Sequence, residues 1–407
     1  NLAMPLAFSY NERYPDAGVQ TITNAADQRK VNCYYDVLDN TITGKRTVYL
    51  VKRPGFNATA LTFGAAGDIP YLISQPPIGT AVPGGATDIA WVFTLNATTV
   101  KVHNGSNTST TIVSAISSTP VYVDRTIISG VSHVILQVDN RAGTSSQRVF
   151  YSSSIGTWNQ ISTGATFSTL RHVGKMEHMD GYGFIMADDN YVYNSDLNTI
   201  STWAATGRIQ KQIVQDSAQG LAKFGQVILA FGTETVEGFY NAGNASGSPL
   251  GRIPNLAQRI GLGNNFGGAS PTNRHYYATL KNRIYFPCEV VNTFTRAGMG
   301  LYSFDGARFE KVSVPSIDKI LSTSLGGGIN CVASISFLGH EAVVIGLTLP
   351  TAALPQRWLM FFPNLNEWFE WVSDVYQPIN NGRYHIGVVG TTNAAYLGAT
   401  NEWRDGN

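Results

Sequence analysis

Charged residues are scarce in this chain of 407 residues and 44.0 kDa. Asp, Glu, Lys and Arg make up 14% of it, whereas an ordinary soluble domain carries about 25%. The 28 basic and 27 acidic side chains leave a net charge of +1. This balance excludes a nucleic-acid binder built on one large basic patch, although not local patches. The hydrophobic content of 43% excludes a disordered chain.

Cysteine is equally rare, and long apolar runs are missing. Cys33, Cys288 and Cys331 are too few and too odd in number for a disulfide framework, and none belongs to a C-x-x-C pair. No run of 18 apolar residues occurs, so the sequence predicts no membrane-spanning helix. His172 and His178 are six residues apart, which is not the i, i+4 spacing of a helical metal pair. We therefore predict neither a metal site nor a cofactor.

Glycine and aromatic residues are abundant instead. The chain has 41 Gly, 19 Tyr and 19 Phe, a composition that favours short strands and tight turns over long helices. Seven segments share one pattern: an alternating apolar strand, a turn, and a second strand that often carries Tyr. Their anchor positions are Trp91, Val134, Phe184, Val227, Ile284, Val343 and Ile386.

The anchors repeat with a mean period of about 49 residues, at spacings of 43, 50, 43, 57, 59 and 43. Propeller blades have periods of roughly 40 to 50 residues. A weaker third element with an aromatic follows several hairpins, starting at Gly156, Thr199, Ala307 and Asn366. Asp188, Asp189 and Asn190 between two strands are interpreted as a hairpin turn rather than calcium ligands.

We therefore predict an all-β fold, a β-propeller of seven blades, with six or eight blades left open. Residues 1–56 lie outside the repeat and form an N-terminal segment, and residues 57–407 form the propeller. The last repeat lacks a clear further strand, so we expect Thr47–Lys52 to close the ring. Long loops are predicted near 243–272 and 288–298, and the first is the predicted subunit interface.

Glycan cleavage is the alternative function for a propeller, because sialidases use this architecture. The fragment Arg252-Ile253-Pro254 is similar to a sialidase motif, and the stretch from Ser152 to Trp158 is similar to an Asp-box turn with Ser154 in place of the Asp. A sialidase needs three arginines, a Tyr nucleophile with a Glu partner, and an acidic acid/base. No spacing selects three arginines, so both fragments are interpreted as structural loops and no catalytic residue is predicted.

The N-terminal segment carries the more specific pattern. Its first part contains Asp27, Gln28, Arg29, Asn32 and Tyr34, and its second part is a strand that ends in Pro54, Gly55 and Phe56. This combination resembles the opening of the tail nozzles, or packaged-DNA stabilisation proteins, of short-tailed bacteriophages. Asp27 matches the acidic position of that family only if the spacer before the Gln is dropped. The match covers about thirty residues, and no long inserted tip domain is present.

The resemblance implies a structural, non-enzymatic protein of the virion tail. Such proteins form a homohexamer below the portal and its adaptor, contact other tail components such as fibres or a tip or plug protein, and extend the channel through which viral DNA leaves. A conduit must not grip DNA, because affinity rises steeply with each neutralised phosphate, and a nearly neutral chain suits that demand. The eight motif residues are expected to serve the fold or the assembly. Native particle mass and activity on glycans would distinguish this function from a glycan-binding or sialidase-like propeller.

Overall fold

A computed structural model shows an all-β protein. It describes Lys30 and residues 33–39, 46–52, 56–62, 69–74, 91–96, 99–103, 109–114, 121–138, 148–154, 157–161, 170–263, 276–291, 296–323, 329–337, 339–347, 356–373, 378–379, 386–389 and 393–397. These residues form 31 strands and one helix, α1 (Pro315–Thr323). Within this described part, no helix is long and apolar enough to cross a membrane.

The first two strands, β1 (Cys33–Asp39) and β2 (Arg46–Lys52), pair only with each other among the described elements and form what we call the N-terminal hairpin. The next strand, β3 (Phe56–Thr62), belongs to the last sheet. Sheet 1 contains β4 (Ile69–Ser74), β5 (Trp91–Asn96), β6 (Thr99–His103) and β7 (Ser109–Ser114). Sheet 2 contains β8 (Val121–Ile128), β9 (Val131–Val138), β10 (Arg148–Ser154) and β11 (Thr157–Gln160).

The middle of the chain forms three more antiparallel sheets. Sheet 3 contains β12 (His172–Met179), β13 (Tyr182–Ala187), β14 (Tyr191–Asn194) and β15 (Arg208–Gln210). Sheet 4 contains β16 (Ala218–Phe224), β17 (Val227–Gly232), β18 (Val236–Asn241) and β19 (Leu250–Gln258). Sheet 5 contains β20 (Ile260–Gly261), β21 (Ala278–Leu280), β22 (Arg283–Val291), β23 (Arg296–Phe304) and β24 (Phe309–Lys311).

Two sheets complete the described fold. Sheet 6 contains β25 (Ile329–Phe337), β26 (His340–Leu347), β27 (Gln356–Phe362) and β28 (Glu367–Ser373). Sheet 7 contains β29 (Pro378–Ile379), β30 (Ile386–Val389) and β31 (Asn393–Leu397), with β3 from the N-terminal side of the chain as its fourth strand. Six of the seven sequence anchors lie in the second strand of a sheet, and Ile284 lies in β22, the third strand of sheet 5.

The sheets are arranged as a β-propeller. The first strands of sheets 1, 2, 3 and 4 contact one another in that order, β21 contacts β25, and β25 contacts β29. Strand β31 of sheet 7 contacts β4 of sheet 1. These contacts place the first strands innermost and the last strands at the rim. Sheets 3, 4 and 5 are each covered on both faces by their neighbours.

This sandwiching explains the apolar second strands. Phe184, Ile185 and Met186 of β13 are all fully buried. Phe184 and Met186 pack into a core shared with sheet 4, whereas Ile185 packs into a core shared with sheet 2. Because successive side chains of a strand point to opposite faces, each second strand supplies two cores. Burial of one such side chain contributes about 1.5–3 kcal/mol.

The ring is completed by a different strand from the one predicted. The prediction that Thr47–Lys52 closes it is wrong, because this stretch lies in β2 and pairs with β1, with Tyr34 opposite Val51. Sheet 7 instead receives β3, in which Phe56 lies opposite Leu397. Strand β2 pairs with β1, its neighbour in sequence, because closing a short loop costs less chain entropy than pairing with a strand far along the chain.

The predicted long loops are also shorter than expected. Residues 250–258 of the stretch 243–272 form the outermost strand of sheet 4, and 260–261 join sheet 5, while 264–272 lie outside the described residues. Pro254 misled the prediction, although proline is tolerated on an edge strand. Most of 288–298 likewise belongs to β22 and β23, which pair from Ile284 opposite Phe304 onward. Of the weak third elements, the one at Thr199 is not a strand.

Candidate functional site

The residues that carry the family resemblance are only partly within the described structure. Tyr34 lies in β1, and Phe56 begins β3, where its backbone pairs with the last sheet. The other predicted positions lie outside the described residues: Asp27, Gln28, Arg29, Asn32, Pro54 and Gly55.

Tyr34 anchors the N-terminal hairpin on the face of sheet 6 that points away from sheet 5. Its side chain is buried in a cluster with Val344 and Trp358, and its ring meets the His340 ring edge-on at 4.9 Å. His340 Nε2 also lies 3.2 Å from Asp36 Oδ1. Burial raises the pKa of the Tyr34 hydroxyl, so it stays protonated at neutral pH.

Polar contacts at β28 hold the beginning of the hairpin. Lys30 Nζ lies 2.6 Å from Glu367 Oε2, and the Lys30 carbonyl accepts a hydrogen bond of 2.9 Å from the Glu370 N–H. The Trp371 indole N–H donates to the Cys33 carbonyl at 2.9 Å. Burial alone lowers the pKa of Lys30, but its hydrogen bond to Glu367 and that group's charge outweigh burial and raise it. The segment is therefore fixed to sheet 6 by packing and by directional bonds.

A second group of functional side chains lies on the innermost strands, and we call it the inner-strand cluster: Asp124, Lys175, Glu177 and Tyr277. Lys175 Nζ lies 2.8 Å from Asp124 Oδ2 and 3.7 Å from Glu177 Oε1. The Tyr277 hydroxyl donates to Glu177 Oε1 at 2.5 Å and accepts from Lys175 Nζ at 3.1 Å. The cluster thus connects β8 of sheet 2, β12 of sheet 3 and the residues that precede β21 of sheet 5.

Backbone geometry places Lys175 in this cluster. The pairing of β12 with β13 shifts register between Val173 and Glu177, and Gly174 within this bulge has φ +70°. A Cβ at Gly174 would overlap the Cα of Gly220 on β16. The glycines therefore let two inner strands touch, and the bulge turns the Lys175 side chain toward the cluster.

Tyr276 bridges three sheets beside the cluster. Its hydroxyl accepts from the Lys175 N–H at 3.1 Å and donates to the Leu221 carbonyl. Its ring packs edge-on against that of Tyr122 at 6.0 Å. The Tyr276–Tyr277 segment of sheet 5 is consequently held against sheets 2, 3 and 4.

Burial and an uneven distribution of charge shift the titration of the cluster. Burial, assisted by the charge of Asp124, raises the pKa of Glu177 to about 7 against the opposing effect of Lys175. Burial also raises the Asp124 pKa, but Lys175 reverses this and lowers it overall. Burial lowers the pKa of the neighbouring His178 to about 4. Glu177 is thus a carboxyl that exchanges a proton near neutral pH.

The two fragments similar to sialidase motifs take part in hydrogen bonds within and between the sheets. Arg252 lies in strand β19, where its Nε donates to Glu237 Oε2 at 3.0 Å and a terminal nitrogen donates to the Gln210 carbonyl. The fully buried Glu237 also accepts 2.7 Å hydrogen bonds from the N–H groups of Gln212 and Ile213. Ser152 donates to the Thr157 carbonyl across the β10–β11 connection. The interpretation of the first fragment as a loop is wrong, because Arg252, Ile253 and Pro254 lie in β19. In the second fragment, Ser152 to Ser154 end β10, and Thr157 and Trp158 begin β11.

Sequence reasoning missed the inner-strand cluster. The charged residues of β12 were visible between His172 and His178, but nothing in the spacing indicated that Tyr277, a hundred residues further on, meets Glu177. The predicted turn at Asp188–Asn190 is present, with Asn190 at φ 65°. Among the described residues, no three His, Cys, Asp or Glu side chains are gathered as metal ligands.

No family model and no curated protein matches the chain. Among solved structures, it is similar to a chain of the mitotic checkpoint complex (TM-score 0.49, 12% identity, 85% of this chain and 93% of that one). It is also similar to an ancestral GH74 enzyme (0.48, 10%, 92% and 54%) and to BamB from Moraxella catarrhalis (0.41, 10%, 81% and 85%). The chain spans about half the length of the GH74 enzyme. At these identities none of the likenesses assigns a function.

Proposed function

We propose that the chain is a structural component of a short-tailed bacteriophage tail, a nozzle subunit. In this proposal six copies form a ring below the portal and adaptor, extend the DNA-ejection channel and help retain the packaged genome. Each of the seven sheets is one blade of a seven-bladed propeller in every subunit.

The observation that carries the proposal is the way the resembling segment joins the propeller. Tyr34 of that segment is buried against sheet 6, and Phe56 begins the strand that completes sheet 7. Two motif positions therefore lie at the two attachments between the N-terminal segment and the ring. Both positions therefore serve the fold. This agrees with the tail-nozzle family, whose members have the same opening segment followed by a propeller.

An exposed apolar patch supports assembly of several copies. Val131, at the tip of the β8–β9 hairpin, is 48% exposed, and Leu197, in the connection between β14 and β15, is 55% exposed. Ser129 Oγ in the hairpin turn donates to the Asn198 carbonyl at 3.0 Å, so the two tips are adjacent. Neighbouring apolar side chains that remain in water are typical of protein interfaces. We assign this patch to the contact with a second copy, in place of the predicted loop 243–272.

The native mass tests this assembly. A hexamer has a mass of about 264 kDa, six times the 44.0 kDa chain, and electron microscopy should show a ring with its channel between subunits. Antibodies against the protein should label the tail of the virion below the portal. A protein that is absent from virions would contradict the proposal.

Substitutions in the patch test its place in the interface. Val131→Asp and Leu197→Asp should each lower the native mass toward the monomer while the melting temperature of the chain stays within a few degrees. Ile213, which is 41% exposed elsewhere on the surface, supplies the matched control Ile213→Asp. If all three variants assemble like the unsubstituted protein, the patch is not the interface.

A glycan-cleaving propeller is the second candidate, and one observation favours it. The Tyr277 hydroxyl bonded to the Glu177 carboxylate, with Asp124 across Lys175, is the Tyr–Glu pair with a nearby acid that such an enzyme requires. Release of sugar from sialosides or from host polysaccharides that is lost in Tyr277→Phe would establish this function. Equal, negligible release by both proteins would dismiss it.

A further inference from the structure

The inner-strand cluster contains two carboxylates and one ammonium group. Lys175 Nζ lies closer to Asp124, at 2.8 Å, than to Glu177, at 3.7 Å. The Glu177 side chain is only 5% exposed, whereas that of Asp124 is 35% exposed. Glu177, the more deeply buried carboxylate, is therefore less well neutralised by Lys175 than Asp124 is. With both carboxylates ionised, the cluster carries one uncompensated negative charge in a site shielded from water.

The elements packed around Glu177 carry several other charged and polar groups. Strand β8 contributes Asp124, and β12 contributes Lys175 and His178. Strand β16 contributes Lys223, whose positive charge favours ionised Glu177 from further away. The segment before β21 contributes the hydroxyls of Tyr276 and Tyr277, and His133 of β9 lies next to His178.

The histidines do not restore the balance. Burial lowers the pKa of His178 to about 4 and also lowers that of His133, so both are neutral near pH 7. Burial raises the pKa of the Tyr277 hydroxyl well above its ordinary value, so this group only donates or accepts hydrogen bonds. Lys223 is partly exposed and has the weakest of the opposing effects on Glu177, so its charge is largely balanced by water. Binding of one proton by Glu177 therefore makes the cluster itself neutral.

We propose that the cluster is a proton-operated latch that holds the Tyr276–Tyr277 segment of sheet 5 against sheet 3. In the closed latch Glu177 is a neutral carboxylic acid, and Asp124 and Lys175 form a balanced ion pair. Loss of the proton strengthens the hydrogen bond that the Tyr277 hydroxyl donates to Glu177. The cost of holding the new charge away from water outweighs this gain, so the contact loosens. The latch depends neither on the tail function nor on the glycan-cleaving function.

The direction of the response follows from proton linkage. The pKa of Glu177 is raised from 4.5 to about 7 in the folded protein, so the folded state binds more protons than the unfolded state between these values. This contribution to stability is fully present below pH 4.5 and is lost as the pH rises to about 7. The latch is therefore closed in mildly acidic solution and open in alkaline solution.

Hydrogen exchange of the full chain tests the latch at pH 6 and pH 8.5, after correction for the intrinsic pH dependence of exchange. In the unsubstituted protein, protection of the amides of 172–179 and 276–280 should fall about fivefold or more at the higher pH. In Glu177→Gln, which is neutral at both values, the two protections should be equal within twofold. Glu310→Gln removes an exposed carboxylate that pairs with Arg283 and should behave like the unsubstituted protein.

An equal loss of protection in Glu177→Gln and the unsubstituted protein would overturn the latch. A second measurement remains decisive if Glu177→Gln does not fold. Infrared spectra of the unsubstituted protein should contain the carbonyl band of a protonated carboxylic acid that disappears between pH 6 and pH 8. The absence of such a band would also overturn the proposal.

Discussion

Two glycines determine how closely the inner strands of sheets 3 and 4 approach. Gly174 has φ +70° and Gly220 has φ +151°, and their Cα atoms lie against each other. Both strands must bring their backbones together here, because the Tyr276 hydroxyl bonds to the chain on either side of the contact. The side-chain cluster therefore depends on two positions that carry no side chain.

Gly174→Ala should destabilise the protein strongly. The added methyl group would overlap Gly220 and would also meet the Gln219 carbonyl at 2.9 Å, and overpacking of this kind costs about 1–3 kcal/mol beyond the strain of a left-handed residue. Gly130 has a similar φ of +78° but nothing within 4 Å of its Cβ position. Gly130→Ala is thus the matched control and should cost about 1 kcal/mol. Urea denaturation measures both, and equal losses would show that crowding at Gly174 is unimportant.

His178 makes stability depend on pH with a sign opposite to that of Glu177. Burial lowers its pKa from 6.5 to about 4, so the unfolded chain binds more protons between these values. Stability from this group is present above pH 6.5 and is lost as the pH falls toward 4, by up to about 3 kcal/mol. In a Glu177→Gln background, His178→Gln should flatten the pH dependence of the unfolding free energy between pH 4.5 and 6.5. Parallel curves with and without His178 would contradict this assignment.

At the scale of elements, the N-terminal hairpin is attached to sheet 6 mainly through β1. Tyr34 and Val51, opposite each other on one face, both pack on sheet 6. On the other face the Tyr35 ring meets the Phe369 ring of sheet 6 edge-on at 5.1 Å, whereas Leu50 opposite Tyr35 is 43% exposed. A two-stranded hairpin is only marginally stable by itself, so the N-terminal hairpin is stabilised mainly by its packing on sheet 6.

Tyr34→Ala should therefore release the hairpin while the sheets remain folded. Removal of a buried aromatic side chain costs about 3 kcal/mol or more, which exceeds what a hairpin in water supplies by itself. We expect hydrogen exchange to rise in 33–39 and 46–52 but not in 329–347. Leu50→Ala, at an exposed position, should leave both regions protected. Loss of protection throughout sheet 6 in Tyr34→Ala would show instead that the hairpin and the sheet unfold together.

The strands that carry the seven anchors could be predicted from the sequence by their apolar character, which in β13, β17 and β26 follows from burial on both faces. The first strands were missed, since residues such as those of β12 mix glycine and charge that only the neighbouring strands accommodate. The closing strand was misassigned because Thr47–Lys52 and Phe56–Thr62 have equally good strand patterns. Pairing partners are a property of the whole fold, and local alternation does not encode them.

The cluster could not be found from sequence for a related reason. Lys175 and Glu177 are ordinary charged residues of a strand until two other sheets bring Asp124 and Tyr277 to them. Their burial in this arrangement then raises the pKa of Glu177 to about 7. Tyr34 differs from the cluster residues, because the pattern of the N-terminal segment singled it out. Its packing on sheet 6 involves only the hairpin and that sheet.

For the whole molecule, the closing strand β3 makes a clear prediction about truncation. A chain that begins at residue 53 loses the hairpin but keeps β3, and it should still melt in one cooperative transition at a lower temperature. A chain that begins at residue 63 also loses β3, which leaves β31 as an open edge. This shorter chain should lose the cooperative transition and aggregate. Calorimetry of the two truncations measures the difference, and similar melts would mean that β3 does not close the ring.

The pairing of Phe56 with Leu397 also sets the order of events during synthesis. On the ribosome, sheets 1 to 6 have all their strands before β31 has been made, and β3 has no partner during this time. Translation at about 5–20 residues per second keeps that strand waiting for tens of seconds. Contacts so distant in sequence form slowly, so closure of the ring is the last step of folding. A nascent chain therefore offers one unpaired strand to chaperones, or to neighbouring chains on the same messenger RNA, until its own C-terminal strands emerge.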